Sequence, residues 1–292
     1  MGKNTYVAVG NKEDLGDLIT NIAPQDTPLY SMLGKGTATA TLHEWLEDSL
    51  PSPGDNKQVE GFEYTVTDPA PRVRLGNYTQ IMTRGYGVTK TQEKVQKHGV
   101  SSEIAYQMTK AMKALAFDME QAIITQATKN AGTASVARQF GGIPHWITTN
   151  KLANGGTARV ISESLIADAL QAAWVAGGHP TTLVCSGGQK RKISAFTNGV
   201  QKTMDAAGRK LTQVIDVFES DFGLVKIVAD RWMPDTSIFV LDPTHWKVCA
   251  LRPFGTQELP NTGDNLKKVI VGEHTMEARA EKASASIVDL KL

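Results

Sequence analysis

Cysteine is scarce in this chain, with only Cys185 and Cys249 among 292 residues. Both lie in apolar runs typical of strands, TTLVCSG and HWKVCAL, which predicts two buried free thiols in a reducing compartment. The six histidines are scattered, and no pair has the spacing of a zinc site on one helix. His245 with Cys249 is too small a set of ligands, so the sequence predicts no metal site.

Long apolar runs are also missing from the sequence. No segment approaches the roughly 20 apolar residues that a membrane helix needs. The N-terminal sequence, MGKNTYVAVGNKEDL, lacks the apolar core of a secretory signal. We therefore expect an unprocessed protein that stays in the cytoplasm and has no membrane segment.

Neither sign of charge is in excess. Lys and Arg together number 31 and Asp and Glu number 30, which gives a net charge of +1. A protein dedicated to nucleic acid usually shows a basic excess or a clustered basic stripe. Any contact with nucleic acid is therefore expected to be weak or local.

The recognised catalytic motifs are absent, although Asp221, Phe222 and Gly223 form the DFG triplet that binds magnesium in kinases. The other kinase motifs are missing, as are a Walker loop, a GxSxG elbow and HExxH. Asp221 and Gly223 lie between two apolar β runs, a position typical of a structural turn. The sequence predicts no enzyme, no catalytic residue and no cofactor, and a phosphate-handling enzyme that uses Asp221 is a distant alternative.

The clearest predicted element is one very long helix over residues 101–131. Its apolar residues recur every three or four positions, among them Met108, Met112, Leu115 and Met119. Ser101 or Ser102 can cap its start, and Gly132 can end it. A helix of this length would span roughly 45 Å, and its methionine-rich stripe indicates a packing surface.

Two segments before this helix look unable to bury themselves. In NIAPQDTPLYSMLGKGTATAT, prolines and glycines break regular structure, yet Leu29, Tyr30 and Leu33 are too apolar for a free tail. The stretch RVRLGNYTQIMTRGYGVTKT alternates like a strand but has too few apolar residues for a core of its own. Both segments need a partner surface, which another chain or the same chain could supply.

The rest of the chain predicts an α/β region followed by strands, which makes the fold class α+β. SESLIADALQAAWVAGG is an amphipathic helix, with Ser162 as its cap and Gly177 as its stop, and a buried strand TTLVCSG follows. From Gln213 onward, short apolar runs alternate with turn signals.

This order of parts resembles the Hong Kong 97-type major capsid protein of tailed phages, over nearly the whole chain. The local matches are NIAPQDTPLYSML, ARQFGGIPHWI, FESDFGLVKIVADRWMP, VLDPTHW and TGDNLKKVIVGEHTMEARAEKASA. The resemblance implies an N-terminal arm (1–44), an extended hairpin called the E-loop (45–92) and a P-domain (93–152) with the long helix as its spine. An A-domain (153–260) and C-terminal strands that complete the P-domain (261–292) would follow.

The resemblance also implies a function. Pentamers and hexamers of the chain would assemble into an icosahedral head around double-stranded DNA, which they would contact weakly at the inner surface. The partners would be a portal and a separate scaffolding protein, and assembly would take place in the host cytoplasm. An encapsulin-like cargo shell is the alternative within the same fold.

The arm and E-loop would lie across neighbouring subunits. The residues predicted to make these inter-subunit contacts are Leu29, Tyr30, Leu33, Trp45, Pro53, Asp55, Lys57, Arg72, Arg74 and Arg84.

Overall fold

The computed structural model describes residues 27–50, 53–64, 71–96, 99–196, 217–260 and 263–292. Within these ranges the helices are α1 (Pro28–Met32), α2 (Lys90–Lys94), α3 (Glu103–Thr125), α4 (Ile143–Trp146), α5 (Glu163–Val175) and α6 (Gly187–Ala195). The strands are β1 (Gly34–Thr37), β2 (Leu42–Glu47), β3 (Val73–Tyr78), β4 (Gln80–Thr89), β5 (Lys151–Leu152), β6 (Arg159–Val160), β7 (Thr182–Cys185), β8 (Val217–Ser220), β9 (Gly223–Ala229), β10 (Ile238–Leu241), β11 (Trp246–Glu258), β12 (Asn265–Ala278), β13 (Ala285–Ile287) and β14 (Leu290–Lys291).

The long helix α3 starts at a well-satisfied N-terminus. The Ser102 hydroxyl accepts a hydrogen bond from the Ala105 amide at 3.3 Å. The Glu93 carboxylate, from the segment just before the helix, accepts bonds from the amides of Glu103 and Ile104 at 3.0 and 3.1 Å. A negative charge here also complements the positive end of the helix dipole.

The same helix ends earlier than the predicted 101–131. It stops at Thr125 after 23 residues, or about 35 Å. The Gly142 amide donates to the Gln126 carbonyl at 2.8 Å, and Asn130 pairs with Gln139 in an antiparallel bridge. Because the returning chain satisfies these backbone groups, residues 126–131 lie outside the helix, which corrects its predicted end.

A four-stranded sheet packs against α3. Its strand order is β1-β11-β12-β4, with β11, β12 and β4 antiparallel and β1 parallel to β11. The larger apolar core lies between this sheet, α3 and α1, and its fully buried members include Leu29, Leu115, Met119, Ile123, Trp246 and Met276.

The second large sheet has six strands and is mixed, with both parallel and antiparallel pairs. Its order is β5-β13-β10-β7-β9-β8, and it pairs β7 with β9 in parallel. Helix α5 begins at Ser162, whose hydroxyl accepts from the Leu165 amide, and Gly177 follows the helix with φ of +87°. Both features agree with the sequence prediction, and the helix covers a second core that contains Ile166, Leu170, Leu183, Ile227, Val240 and Ile287.

The two large sheets interleave along the chain. β11 falls within the range 153–260 that the sequence assigns to the A-domain, yet it pairs with β12 in the sheet against α3. β13 comes after residue 261, yet it joins β10 in the six-stranded sheet. The C-terminal strands therefore serve both sheets, and the division into arm, E-loop, P-domain and A-domain stays a prediction.

The predicted hairpin uses two separate sheets. β2 and β3 form a two-stranded antiparallel pair, whereas β4 continues from β3 into the four-stranded sheet. The break falls at Thr79, whose amide donates to the Thr41 carbonyl. Beside it, the fully buried Asn77 side-chain amide donates to the carbonyls of Gly141 and Met276 at 3.0 and 2.8 Å. These bonds fix the base of the hairpin to the body of the chain.

Candidate assembly surfaces

The end of the predicted arm is anchored inside the chain by a buried carboxyl group. Glu120 lies on α3 and is fully buried. Its two carboxyl oxygens accept hydrogen bonds from the backbone amides of Leu29 and Tyr30, at 2.7 and 2.6 Å. These amides belong to the first turn of α1 and would otherwise lack partners. One carboxyl group thus holds α1 against the long helix.

Burial, together with the hydrogen bond and the charge of the neighbouring Asp230 carboxyl group, raises the pKa of Glu120 to about 8, against the lowering effect of the two amides. Asp230 follows β9 and is also buried. The Lys35 ammonium lies near the Glu120 carboxyl group, and burial lowers the pKa of Lys35. The anchor therefore holds a protonated carboxyl group at neutral pH.

Three residues predicted to contact neighbouring subunits pack inside this chain instead. Leu29 and Leu33 are 0% and 2% exposed and belong to the core against α3. The Trp45 ring lies 5.1 Å from the Trp146 ring and is also buried. The structure corrects their assignment, because the Glu120 anchor and α4 supply the partner surface from the same chain.

The tip of the hairpin has the opposite character. Residues 53–64 form no paired strand, and all of them are exposed. They include Pro53, Asp55 and Lys57, the last two joined by an ion pair of 2.7 Å. Apolar side chains are exposed here as well, among them Val59 at 76% and Tyr64 at 77%. The tip therefore offers a mixed apolar and charged surface that nothing in the described part of the chain covers.

The three predicted arginines all make ion pairs within the chain. Arg72 contacts Asp48 at 3.1 Å and Arg74 contacts Glu44 at 3.2 Å, and both pairs cross the β2–β3 hairpin. The ion pair of Arg84 is the strongest of the three, because two of its nitrogens each lie 2.9 Å from an oxygen of Asp118. This bidentate pair connects β4 to α3. Tyr30 is half-buried, and contacts of these residues with another subunit stay a prediction.

The methionine-rich apolar face of α3 is only partly buried by the rest of the chain. Leu115 and Met119 are 1% exposed, whereas Met108 and Met112 are 40% and 41% exposed. The C-terminal half of α3 thus packs on the four-stranded sheet, and its N-terminal half presents methionines to the surface.

The structure places Asp221 and Phe222 in a two-residue turn. Ser220 pairs with Gly223 across the β8–β9 hairpin, and Gly223 has φ of +127°, a value that favours glycine. The Ser220 hydroxyl donates to the Gly223 carbonyl at 2.9 Å and accepts from the Phe222 amide. The hydroxyl and backbone groups of this segment thus hold it as the structural turn that the sequence predicts.

Sequence reasoning missed the buried polar residues that join the elements. Besides Glu120 and Asn77, Glu273 on β12 is buried and contacts Thr79, Arg138 and Arg252. A signal exists for Glu120, because it directly follows Met119 and comes two residues before Ala122 on the apolar face of the helix. A lone acid there indicates a specific buried partner.

Among the helices that the structure describes, none has the length and apolar character to cross a membrane.

Comparison with known proteins gives consistent matches. The family model described as SU10 major capsid protein matches residues 2–291. The "Major capsid protein" of Escherichia phage Phieco32 is 23% identical over 332 residues, covering 96% of this chain and 94% of that protein. This family is structural, and the matches favour neither an enzyme nor an encapsulin-like shell.

Solved structures show the same architecture. A chain of the "Cyanophage A-1(L) capsid asymmetric unit" superposes with a TM-score of 0.69 at 12% identity, covering 99% of both chains. A chain from Mycobacterium phage Adephagia gives 0.68 at 12% identity, covering 99% of this chain and 98% of that one. The fold is the Hong Kong 97-like capsid fold, as the sequence resemblance implies. Because the family model matches residues 2–291, nearly the whole of this chain, the chain belongs to the SU10 major capsid protein family of phages.

Proposed function

We propose that pentamers and hexamers of this chain form the icosahedral shell of a phage head, and that the hairpin tip lies across a neighbouring subunit. One observation carries this proposal. Residues 53–64 are exposed along their whole length, yet they include apolar side chains that a protein surface rarely presents together without a partner. A repeated contact of this kind is multiplied by closed symmetry.

In this proposal, each part of the capsid fold corresponds to one sheet of the structure and the helices that pack on it. Residues 45–92 act as the E-loop, anchored at their base by Asn77. Helix α3 with the four-stranded sheet acts as the P-domain, and the six-stranded sheet with α5 and α6 as the A-domain. In this proposal β11 belongs to the P-domain and β13 to the A-domain, which refines the boundaries expected from the sequence.

The proposed partners follow from the role. A portal and a separate scaffolding protein would take part in assembly in the host cytoplasm, and the shell would enclose double-stranded DNA. The net charge of +1 supports only a weak contact with that DNA.

The test replaces the apolar side chains of the tip. In a variant with Val59→Ser, Phe62→Ser and Tyr64→Ser, we expect an unchanged fold by circular dichroism and a loss of shells in sedimentation and electron microscopy. The matched control is Val136→Ser, which alters a 49% exposed apolar residue outside the tip and should leave shell yield unchanged. Shells at wild-type yield from the tip variant would show that the tip makes no assembly contact.

A further inference from the structure

Three groups that can bind metal meet where the hairpin base contacts the four-stranded sheet. His43 lies on β2, Cys249 on β11 and Glu277 on β12, and their ligand atoms lie within 4.8 Å of one another. In the β11–β12 register, Lys247 is opposite Glu277 and Cys249 is opposite Thr275. Cys249 and Glu277 therefore project from the same face of the sheet.

The distances among these atoms suit a shared ion. Glu277 Oε2 lies 3.5 Å from His43 Nε2 and 3.5 Å from Cys249 Sγ. The Cys249 thiol can donate a hydrogen bond to Glu277 Oε2 at this distance, whereas the His43–Glu277 distance exceeds the roughly 2.7–3.2 Å of an ordinary N–H···O bond. Around tetrahedral zinc, with bonds of about 2.0–2.3 Å, neighbouring ligand atoms are about 3.3–3.7 Å apart. Both distances to Glu277 Oε2 fall within this range, and the His43 and Cys249 ligand atoms lie within 4.8 Å of each other.

The state of each group supports a ligand role. His43 Nε2 is buried and has no hydrogen-bond partner among the described residues. Glu277 Oε1 accepts from Arg279 Nε at 2.7 Å, which orients the carboxylate and leaves Oε2 to face the other two groups. Cys249 is 1% exposed, whereas the His43 side chain is 17% exposed and gives a route of entry.

The chemistry of the donors selects the kind of ion. Sulfur, imidazole nitrogen and a single carboxylate oxygen suit zinc, and Mg²⁺ or Ca²⁺ would need oxygen ligands. The nearby cations Arg279 and Lys247 oppose the binding of a positive ion. A cysteine ligand binds as the thiolate, so metal binding would release the thiol proton to the solvent. The resulting thiolate and the Glu277 carboxylate then balance the two charges of the ion.

We propose that His43, Cys249 and Glu277 bind one zinc-class divalent ion, which fastens the base of the β2–β3 hairpin to the sheet. Three protein ligands leave one tetrahedral position for water. The sequence predicted no metal site, because its ligands come from three separate strands and show no recognisable spacing. The site would set the angle at which the hairpin leaves the body of the chain.

Cobalt tests the proposal directly on the full chain. After treatment with a chelator, the protein is titrated with Co²⁺ alone and its absorption is recorded. We expect one cobalt per chain, a near-ultraviolet band from the thiolate–cobalt bond, and loss of that band when Zn²⁺ is added. Zn²⁺ should also raise the melting temperature. No band and no zinc-dependent rise in melting temperature would show that the three groups only pack beside one another without a metal, and would overturn the proposal.

The two cysteines supply a matched control. Cys249→Ser should abolish the band, whereas Cys185→Ser, at the other buried free thiol, should keep it. A band that survives in Cys249→Ser would contradict the assignment. Because Cys249→Ser could fail to fold, His43→Gln, at the partly exposed ligand, provides a second variant. We expect it to weaken metal binding at least tenfold, and unchanged binding would equally refute the site.

Discussion

The anchored end of the arm and the tip of the hairpin look alike in sequence but differ in the structure. Both are rich in proline, glycine and polar residues, with apolar residues scattered among them. Leu29 is fully buried under α3, whereas Tyr64 at the hairpin tip is 77% exposed. The difference shows that such a segment can find its partner within its own chain or leave its apolar surface for another molecule.

Breaking the helix that carries the anchor should have the largest effect. Leu115→Pro removes a backbone hydrogen bond in the middle of α3 and also a fully buried side chain. We expect a loss of about 3 kcal/mol or more in the free energy of unfolding, and no shells. Urea unfolding followed by circular dichroism measures this. A proline at position 115 that left stability unchanged would contradict the packing of α3.

Truncating one side chain in each segment compares them directly. Leu29→Ala should lower the free energy of unfolding by about 2–5 kcal/mol, because it leaves a cavity in a packed core. Phe62→Ala, at a tip residue that is 47% exposed, should change it by less than about 0.5 kcal/mol. Thermal unfolding of the unassembled subunit provides the measurement. Equal effects from the two variants would mean that the two segments are not distinct.

Replacing the titratable carboxyl group of the anchor should have an intermediate effect that depends on pH. The folded-state pKa of Glu120 is about 8, above its ordinary value of 4.5, so the native state holds a proton that the unfolded chain has released. This contribution to stability is complete below pH 4.5 and is lost as the pH rises through about 8. Asp230 and Lys35 stay in place as the neighbouring charged groups.

In Glu120→Gln this pH dependence should flatten. The amide oxygen can accept only one of the two backbone bonds, so we also expect a loss of about 1–3 kcal/mol at pH 5. Urea unfolding at pH 5, 7 and 9 measures both effects. Wild-type stability that stays constant from pH 5 to 9 would contradict a protonated anchor.

The smallest effect is expected at the ion pair between β4 and α3. Arg84→Ala removes a bidentate contact with Asp118, but both side chains are more than a third exposed. Exposed pairs contribute only about 0–1 kcal/mol. Arg74→Ala, which removes a single contact across the hairpin, is the matched control and should change stability even less.

Local pattern was sufficient to predict several elements. The period of Met108, Met112, Leu115 and Met119 predicts α3, and Asp221 with Gly223 predicts a turn, because both depend on residues close in sequence. The partner of an apolar side chain is not a local property. Leu29 and Trp45 look equally suited to a neighbouring subunit, and only the positions of α3 and α4 decide otherwise.

Polar contacts between distant elements were the least predictable. The end of α3 depends on Gly142, which returns from beyond a loop to bond with Gln126. The proposed metal ligands come from three strands, and Asn77 joins carbonyl groups of two distant segments. None of these contacts leaves a spacing that can be recognised in the sequence.

A cryo-electron microscopy map of the shell formed by this chain would test the central claim most directly. We predict that residues 53–64 contact another subunit, while the bonds from Leu29 and Tyr30 to Glu120 stay within one chain. A map in which the tip folds back onto its own subunit would contradict the account, as would a preparation that contains only unassembled chains.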